Sequence, residues 1–545
     1  MMDVICMSKG DVKYILAHDH GTSGSKAAII STHGEVVDFE FQEVPLYLFD
    51  GGGAEQNPDE WWNAIMGTSK KLIDKTTIPT EDIVAVCDSS QWSGTVAIDK
   101  DGNHLYNAII WMDTRGAPYI KKLMGGLIEI SGYSIKHIFQ YFLKMGGWIN
   151  ITGGAPGLAG KDSIAHILFM KNEMPEIYEA TYKFLECKDY INFKLTGEFA
   201  ASYDSIQLHW CTDIRDINNI QYHDGLIKKL KIDKDKLPPL KHAIDVLGPI
   251  KNEVADEIGL ERNVKVVMGS PDLQSAAIGS GAVQDYEAHV YIGTSSWVIC
   301  HVPSKKTDIF HNIASLPSAI PGKYFAASEQ ETAGACLSFL RDNLLYHKDE
   351  LLDEERISED KLKTGVYKIF DRIVETSPAG SNRLIFTPWL WGERTPIEDH
   401  SVRAGLMNMS LRTTRADLIR AIYEGVAYNS RWVLKYLDQF CGRKLEPINM
   451  IGGGAKSDIW CQIYADVLDR PIRQVKDPIQ ANARGAAFIA AVGLGYISFD
   501  DIPKYTQIKD TYIPNPDNRK IYDQLFEEFI TIYENNKDMY RRLNH

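Results

Sequence analysis

Residues 264–297 read VKVVMGSPDLQSAAIGSGAVQDYEAHVYIGTSSW, and this stretch decides the fold. Its first apolar run predicts a strand that delivers Asp272 to a turn marked by glycine and proline. Small residues follow and predict a short helix, and a second apolar run predicts a strand that leads into Gly293-Thr294-Ser295. One strand end therefore carries a carboxylate and the other carries hydroxyl groups on a flexible backbone, which together predict a chemical site.

A similar pattern occurs near the start of the chain. Residues 14–31, YILAHDHGTSGSKAAIIS, predict two strands joined by a turn that contains Gly21, Thr22 and Ser23. Such a turn exposes N–H and hydroxyl donors without bulky side chains, as a phosphate group requires, although an ordinary hairpin turn is the alternative. Residues 289–302, HVYIGTSSWVICHV, repeat the pattern about 270 residues later. This repetition predicts two similarly folded domains that face each other.

Three consecutive glycines, Gly452, Gly453 and Gly454, separate a predicted strand from a predicted helix. The strand is PINMI and the helix is SDIWCQIYADVLD, which Ser457 could cap. Glycines at this point allow a close approach of the backbone and direct N–H groups at a ligand. A tight turn with a purely structural role is the alternative.

Two further apolar runs end in polar residues. Residues 83–90, IVAVCDSS, lead into Gln91-Trp92-Ser93-Gly94, and residues 107–116, NAIIWMDTRG, lead into Trp111, Asp113 and Arg115. The Asp-Arg spacing fits either a local ion pair or polar contacts to a hydroxylated ligand. Because ligands of open α/β sheets lie beyond the carboxyl ends of the strands, these strand ends together favour one shared site between two halves.

The composition limits the partners. The 545-residue chain has a formal net charge of −14 and no cluster of lysine and arginine, which argues against nucleic acid and against an anionic membrane surface. A small anionic ligand remains compatible with this charge, because backbone N–H groups and a metal ion can hold phosphate. The length predicts two large domains or three to four smaller ones.

The expected compartment is the cytoplasm. The eight cysteines are scattered and form no CxxC pair, which is typical of reduced, buried thiols and makes a zinc site improbable. The first residues show no basic segment followed by an apolar core, and no segment contains the roughly 18 apolar residues of a membrane span.

Eight motifs in this order resemble the FGGY carbohydrate kinases, and most closely the xylulokinase branch of that family. They are DHGTSGSK, QWSG, WMDTRG, KDYINFKLTGEF, GSPDLQSAAIGSGA, YIGTSSW, WGERTPIEDHSVRAGLMNMS and GGGAKSDIWCQIYADVLDRPI. The resemblance spans nearly the whole chain, and eight ordered motifs are far more specific than any one of them.

The resemblance implies an α/β fold with two actin-like (ribonuclease H-like) ATPase domains, each on a mixed five-stranded sheet, and an active-site cleft between the domains. Residues 1–284 would form the sugar-binding domain with the catalytic base, and residues 285–545 the ATP-binding domain. The implied reaction transfers the γ-phosphoryl group of ATP to a terminal hydroxyl of a ketopentose, with D-xylulose as the leading substrate. The alternatives are another ketose or polyol (L-ribulose, a tetritol or glycerol), a catalytically weak sugar-binding paralogue, and an actin-like ATP-binding protein that phosphorylates no sugar.

The resemblance also assigns roles to single residues. Asp272 matches the general base, and Asp19 matches the carboxylate that holds Mg²⁺ directly or through water. The matches to the phosphate-binding and adenosine-binding positions of ATP are Gly21, Thr22, Ser23, Lys26, Gly293, Thr294, Ser295, Gly452, Gly453 and Gly454. The expected sugar-binding residues are Gln91, Trp92, Ser93, Trp111, Asp113 and Asp272.

Two departures from the family pattern concern the sugar. Where the family commonly has Gln-Met-His-Gly, this chain has Gln91-Trp92-Ser93-Gly94, and where an amide usually follows the base, this chain has Leu273. The loss of a positioned hydrogen bond changes discrimination between substrates by orders of magnitude. The expected partners are a small sugar and, as a possibility, a second copy of the chain in a homodimer, with no nucleic acid and no membrane.

Overall fold

A computed structural model describes residues 12–124, 135–345 and 359–544. Six strands form the first sheet in the order β3-β2-β1-β4-β6-β5. Their bounds are β1 (Tyr14–Gly21), β2 (Gly24–Ser31), β3 (Val36–Glu43), β4 (Ile83–Ser90), β5 (Val246–Pro249) and β6 (Lys265–Pro271). The hairpin β1–β2 is antiparallel, β4 runs parallel to β1, and β6 runs parallel to β4.

The second sheet repeats this arrangement. Six of its nine strands follow the order β9-β8-β7-β10-β11-β12. Their bounds are β7 (Ala288–Ile292), β8 (Ser296–Val302), β9 (Tyr324–Ala327), β10 (Ile448–Ile451), β11 (Ile472–Val475) and β12 (Ile508–Tyr512). The antiparallel hairpin β7–β8 corresponds to β1–β2, and the parallel strands β10 and β11 correspond to β4 and β6. The predicted duplication of an α/β domain is therefore confirmed.

The expectation of five strands in each sheet was wrong. In both sheets an additional antiparallel strand, β5 or β12, covers the outer side of the last parallel strand. The second sheet also gains Thr307–Asp308, Ile313–Pro317 and Glu329–Gln330. A strand added to an exposed edge satisfies its unpaired N–H and C=O groups, which explains why such additions are favourable.

The helices cover both sheets. We name α1 (Pro58–Lys75), α2 (Asp272–Gly279), α3 (Arg415–Cys441), α4 (Asp458–Leu468), α5 (Ala481–Gly493) and α6 (Arg519–Leu543). Other described helices are Ala117–Met124, Ile135–Thr152, Ser163–Glu173, Pro175–Ala180, Cys187–Thr196, Asp224–Leu230, Asn252–Ile258, Gly334–Phe339, Glu359–Val374 and Ile502–Tyr505. None of the helices in the described ranges is both long enough and apolar enough to cross a bilayer.

Local sequence signals set where the main helices begin. The Asn57 side chain accepts the Asp59 N–H and caps α1, and Thr414 forms a capping box at the start of α3. Ser457 caps α4 by accepting the Trp460 N–H. One face of the first sheet then packs on α1, with Leu16, Ile65 and Val266 among the buried residues of that core.

The other face of the first sheet packs against α5, a helix from the last part of the chain. Ile15 and Ala28 of the sheet lie in one apolar core with Ala487 of this helix. Helix α5 also touches α2 through its backbone, because a Cβ on Gly485 would lie only 1.8 Å from the carbonyl oxygen of Ser275. A helix that lies in sequence between two strands of the second sheet, β11 and β12, thus completes the core of the first sheet. The division of the chain at residue 284 stays a prediction.

Candidate active site

Asp272 lies at the carboxyl end of β6, as its first residue outside the strand, and begins α2. The Leu273 N–H donates to its Oδ1 at 2.9 Å. Burial raises the pKa of Asp272 well above the ordinary value, and the negative charge of Asp19 raises it further. A carboxylate with a raised pKa at a strand end is a stronger proton acceptor than an exposed aspartate, which is the property of a general base.

The turn of the first hairpin contacts two of the predicted sugar-binding residues. The Thr22 hydroxyl donates to Oε1 of Gln91 at 3.0 Å and accepts the indole N–H of Trp111 at 2.9 Å. Gln91 is held in turn, because its Nε2 donates to Oε1 of Gln56 at 2.8 Å. The structure therefore brings a predicted phosphate-binding residue together with Gln91 and Trp111 at one point.

Asp19 lies on β1 where the two halves of the chain meet. Lys26 Nζ, on the neighbouring strand, donates to its Oδ2 at 2.9 Å, and Asn482 Nδ2, on α5, donates to its Oδ1 at 3.2 Å. Lys26 also donates to the carbonyl oxygen of Ile479 at 3.2 Å. A carboxylate and a cation are thus fixed side by side next to the first hairpin.

Asp19 would fit the Mg²⁺ ion that the family resemblance implies. Within residues 12–124, 135–345 and 359–544, no group of three His, Cys, Asp or Glu side chains forms a metal cluster. Mg²⁺ in kinases needs no such cluster, because it binds one or two carboxylates together with substrate phosphates and water. Asp19 supplies one carboxylate of the required kind.

The second hairpin and the glycine triplet lie against each other. Gly452 has a φ of +87°, and a Cβ there would lie 2.6 Å from the carbonyl oxygen of Ile292, the residue that precedes Gly293. A Cβ on Gly454 would lie 2.5 Å from the Ile292 side chain, so packing alone requires glycine at both positions. Gly453 differs, because its Cβ would meet only ordinary contact distances. Gly452 and Gly454 therefore fit the alternative of a turn with a purely structural role. Gly453, between them, has an accessible backbone.

The hydroxyl of Tyr291 is a feature of this site that the sequence reasoning did not single out. Its ring stacks on Trp297 across the hairpin, with a centroid distance of 3.9 Å, and a Cβ on Gly293 would lie 2.5 Å from the phenolic oxygen. Burial raises the pKa of the Tyr291 hydroxyl, and the negative charges of Asp19 and Asp272 raise it further. Tyr291 thus lies over the second hairpin, near both carboxylates. The position of Tyr291, two residues before Gly293, was the sequence signal that could have indicated its place at this site.

Like Gln91 and Trp111, three further predicted sugar-binding residues have polar atoms engaged within the protein. The Ser93 hydroxyl donates to the carbonyl oxygen of Lys161 at 2.7 Å, and the Trp92 indole N–H donates to that of Ser205 at 2.8 Å. Asp113 is buried and accepts the Ala54 N–H and the Arg115 Nε, each at 2.8 Å. Of the two alternatives that the Asp-Arg spacing left open for Asp113, the structure contains the local ion pair with Arg115.

Glu186 supports the loop that contains Ser93. Its Oε2 accepts the Gly94 N–H at 3.1 Å, and the Ser163 hydroxyl donates to its Oε1. Burial raises the pKa of this carboxyl to about 8. A Cβ on Gly94 would lie 2.1 Å from the sulfur of Cys187, so the loop packs tightly against the helix that follows Glu186.

Charged residues from the two halves of the chain form ion pairs with each other, and the sequence analysis did not predict these contacts. Lys161 Nζ lies 3.2 Å from Glu331 Oε1, and Arg394 forms ion pairs with Glu331 and Glu329. Glu329 in turn contributes to the raised pKa of Asp272. Arg394 belongs to the motif WGERTP, which could have indicated it, whereas Lys161 carries no local signal.

Two sheets of one topology, each with a Gly-Thr-Ser hairpin, and a basic carboxylate at a strand end define a two-domain α/β kinase. The FGGY family of carbohydrate kinases, N-terminal domain, matches residues 14–146 and 157–279, and its C-terminal domain matches residues 288–494, so the chain belongs to this family. The predicted family, fold and enzyme class are thereby confirmed: the chain is a carbohydrate kinase of a family that uses ATP.

The comparisons extend over the whole chain. A xylulose kinase of Staphylococcus epidermidis is 28% identical over 538 residues, which cover 96% of this chain and 97% of that protein. The ligand-bound xylulose kinase from Lactobacillus acidophilus superimposes with a TM-score of 0.82 at 24% identity and covers 97% of this chain and 100% of that one. The gluconate kinase from the same organism gives 0.81 at 24% identity, with 98% and 100% covered. Structures this distant in sequence support the fold alone.

Proposed function

We propose that this chain transfers the γ-phosphoryl group of ATP to the terminal hydroxyl of D-xylulose and so forms D-xylulose 5-phosphate and ADP. The observation that carries the reaction type is Asp272, a strand-end carboxylate of raised pKa beside Asp19. The choice of D-xylulose rests on the full-length similarity to xylulose kinases.

Asp272 is the proposed general base. As the sugar oxygen bonds to phosphorus, its O–H bond breaks and the proton passes to a carboxylate oxygen of Asp272, while the bond between the γ-phosphorus and the bridging oxygen breaks and ADP leaves. A sugar hydroxyl is a poor nucleophile until that proton is removed, and the raised pKa of Asp272 makes the transfer more favourable.

The two hairpins and Lys26 are proposed to position the phosphates. Their backbone N–H groups, the hydroxyls of the Gly-Thr-Ser turns and the Lys26 ammonium provide donors and positive charge where the phosphoryl group carries negative charge. When bound, Mg²⁺ supplies further positive charge to the phosphates, and Asp19 would hold it. We propose that the accessible backbone at Gly453 contacts the adenosine part of ATP.

Gln91 and Trp111 are proposed to orient the sugar. Both are fixed by the Thr22 hydroxyl, so the sugar side and the phosphate side of the site are connected through a single residue. Correct alignment of a hydroxyl with the γ-phosphorus accounts for a large part of catalysis in phosphoryl transfer. Closure of the second domain, through Lys161 and Glu331, would exclude water as a competing acceptor.

A coupled ADP-release assay tests the proposal. Purified protein with ATP and MgCl₂ is supplied with C3 to C6 ketoses, polyols and aldonates, and we expect the highest kcat/KM with D-xylulose. A higher kcat/KM with another sugar would identify that sugar as the substrate of the same reaction. Stabilisation against heat by a sugar, with no ADP release from any compound, would identify a sugar-binding protein without kinase activity and overturn the proposal.

We also propose that ATP bound to Mg²⁺ is the nucleotide substrate. A cytoplasmic location of the protein is proposed as well. The described part of the chain holds seven cysteines, all of them free thiols, and six of these are buried. Free buried thiols are typical of proteins in a reducing compartment. Cys6 lies outside the described residues.

A further inference from the structure

Two of the free thiols lie next to each other in the second domain. The sulfur atoms of Cys300 and Cys441 are 3.6 Å apart, although the two residues are 141 positions apart in the chain. Cys300 lies on β8, and Cys441 is the last residue of α3. A disulfide requires a separation of about 2.0 Å between the sulfur atoms. A small rotation of the two side chains would therefore bring the sulfurs within bonding distance.

The packing of α3 on the second sheet holds the two thiols together. Cys300 is buried in one apolar core with Leu437 and Phe440, which belong to the last turns of α3. Lys306, a few residues beyond β8, donates from Nζ to the carbonyl oxygen of Phe440 at 2.7 Å and ties the end of the helix to the chain that follows the strand. The separation of the two sulfurs is thus set by a packed strand and a packed helix.

The two thiols differ in their surroundings. Cys441 is partly exposed, whereas Cys300 is buried. The pKa of the Cys441 thiol is lowered, chiefly because the S–H of Cys300 donates to its sulfur, and the positive charges of Lys306 and Arg443 contribute. Burial and the negative charge of Asp438 oppose this effect. The same contact, together with burial, raises the pKa of the Cys300 thiol well above its ordinary value. Cys441 is therefore the thiol that ionises, while Cys300 stays protonated beside it.

We propose that Cys300 and Cys441 form a reversible disulfide when the protein meets hydrogen peroxide. The Cys441 thiolate attacks one peroxide oxygen, the O–O bond breaks, and the released hydroxide takes up a proton to form water, which leaves Cys441 as a sulfenic acid. The sulfur of Cys300 then attacks the sulfenic sulfur, the S–O bond breaks, and the Cys300 proton leaves with the hydroxide as a second water. Two electrons thus pass from the thiols to the peroxide, and a dithiol returns them by exchange.

The surroundings of this pair distinguish it from the other buried cysteines. Reactive cysteines combine partial exposure, nearby positive charge and a second thiol that can condense with the sulfenic acid. Cys441 and Cys300 together meet all three conditions. Cys336 and Cys461 are buried, and burial raises the pKa of both thiols. Disulfides in a reducing compartment are generally transient, which agrees with free thiols at Cys300 and Cys441 in this structure.

The disulfide would stabilise the second domain without touching the candidate active site. It would close a loop of 141 residues, and a cross-link over a long loop restricts the unfolded chain strongly. Cys300 lies four residues beyond Ser296, where β8 begins next to the turn of the second hairpin, so a distance of about 13 Å along the strand separates them. We therefore expect a protective cross-link that leaves the kinase reaction intact, whatever the sugar.

Peptide mapping of the full-length protein without reduction tests the proposal. Purified protein is treated at pH 7 with a small molar excess of hydrogen peroxide, digested and analysed by mass spectrometry. We expect two peptides joined through Cys300 and Cys441 to appear before Cys336 or Cys461 is oxidised, and to separate again after dithiothreitol. The thermal midpoint of the oxidised protein should exceed that of the reduced protein by several degrees, because the new bond restricts the unfolded chain.

Cys300→Ala and Cys461→Ala are matched variants, because each removes one buried thiol from the second domain. Cys461→Ala should still form the disulfide. Cys300→Ala should leave Cys441 as a sulfenic acid that dimedone labels, and more peroxide should convert it to a sulfinic acid that dithiothreitol does not restore. The wild-type map does not depend on the folding of either variant. The proposal is overturned if wild-type Cys441 is oxidised while Cys300 stays free, or if both thiols remain free after the treatment.

Discussion

Asp272→Asn is the sharpest test of the proposed mechanism. The substitution retains the size and planarity of the side chain and can still accept the Leu273 N–H, but it removes the proton acceptor. General base catalysis contributes about 10²- to 10⁴-fold, so kcat should fall by that factor, which corresponds to roughly 3–5 kcal/mol in the barrier. The KM for ATP should change less than about threefold, because the proposed phosphate contacts are on the hairpins.

The same substitution should stabilise the fold at neutral pH. Burial and the charge of Asp19 raise the pKa of Asp272 above that of an unfolded chain, which is about 3.9. A group with a raised folded pKa contributes its stability fully below the unfolded pKa and loses it as the pH rises through the folded pKa. At pH 8 the cost of ionising the buried carboxyl therefore opposes folding, and asparagine carries no such cost. The thermal midpoint of the variant should exceed that of the wild type at pH 8, and the difference should shrink towards pH 5.

Initial rates from ADP release and thermal scans at pH 5 and pH 8 measure both effects. The wild-type kcat/KM should also decline on the acid side at a pH above the usual range of an aspartate, since protonation of Asp272 removes the base. Asp256→Asn is the control, because Asp256 is an exposed aspartate paired with Arg262. A variant at Asp272 that retains more than a tenth of the wild-type kcat, or that melts below the wild type at pH 8, would refute the reasoning.

Three further predictions concern neighbouring residues. Tyr291→Phe removes the hydroxyl over Gly293 but retains the ring stack on Trp297, so kcat should fall about tenfold or more with little change in thermal midpoint; an unchanged kcat would exclude a role for the hydroxyl. Lys161→Met removes the ion pair to Glu331, and the KM for the sugar should rise about 3- to 10-fold in initial-rate measurements, whereas an unaltered KM would contradict a closing role. Burial raises the pKa of Glu186 to about 8 against about 4.3 in an unfolded chain, so its stabilisation is lost as the pH rises through that range. Glu186→Gln should flatten the decline of the thermal midpoint between pH 5 and pH 8, and an identical decline in both proteins would show that Glu186 does not titrate there.

The elements that the sequence predicted well are those specified by adjacent residues. The first hairpin turns at Thr22 and Ser23, between β1 and β2, because two apolar runs are separated by residues suited to a tight turn. The start of α2 at Asp272 follows directly from the apolar strand and the proline before it. Local steric and hydrogen-bonding preferences decide such features, so a single sequence contains them.

Other features depend on contacts between distant parts of the chain. The packing of α5 on the first sheet joins residues that are more than 450 positions apart, such as Asn482 and Asp19. The pair of Lys161 and Glu331 is of the same kind. Asp113 shows a related difficulty, since its spacing from Arg115 fits an ion pair and a ligand contact equally, and only the buried position of the carboxylate distinguishes them.

The two departures from the family pattern have one structural consequence. Leu273 and Trp92 lie in the same buried apolar cluster, and Trp92 contacts Phe325 of the second sheet with ring centroids 6.2 Å apart. The Ser93 hydroxyl is already bonded to the Lys161 carbonyl oxygen. At these positions the chain therefore has a buried leucine and an internally bonded hydroxyl, where the family pattern places an amide and an imidazole. We expect recognition of the sugar hydroxyls to depend more on Gln91 and on charged groups of the second domain, and discrimination between sugars to be decided largely when the domains close.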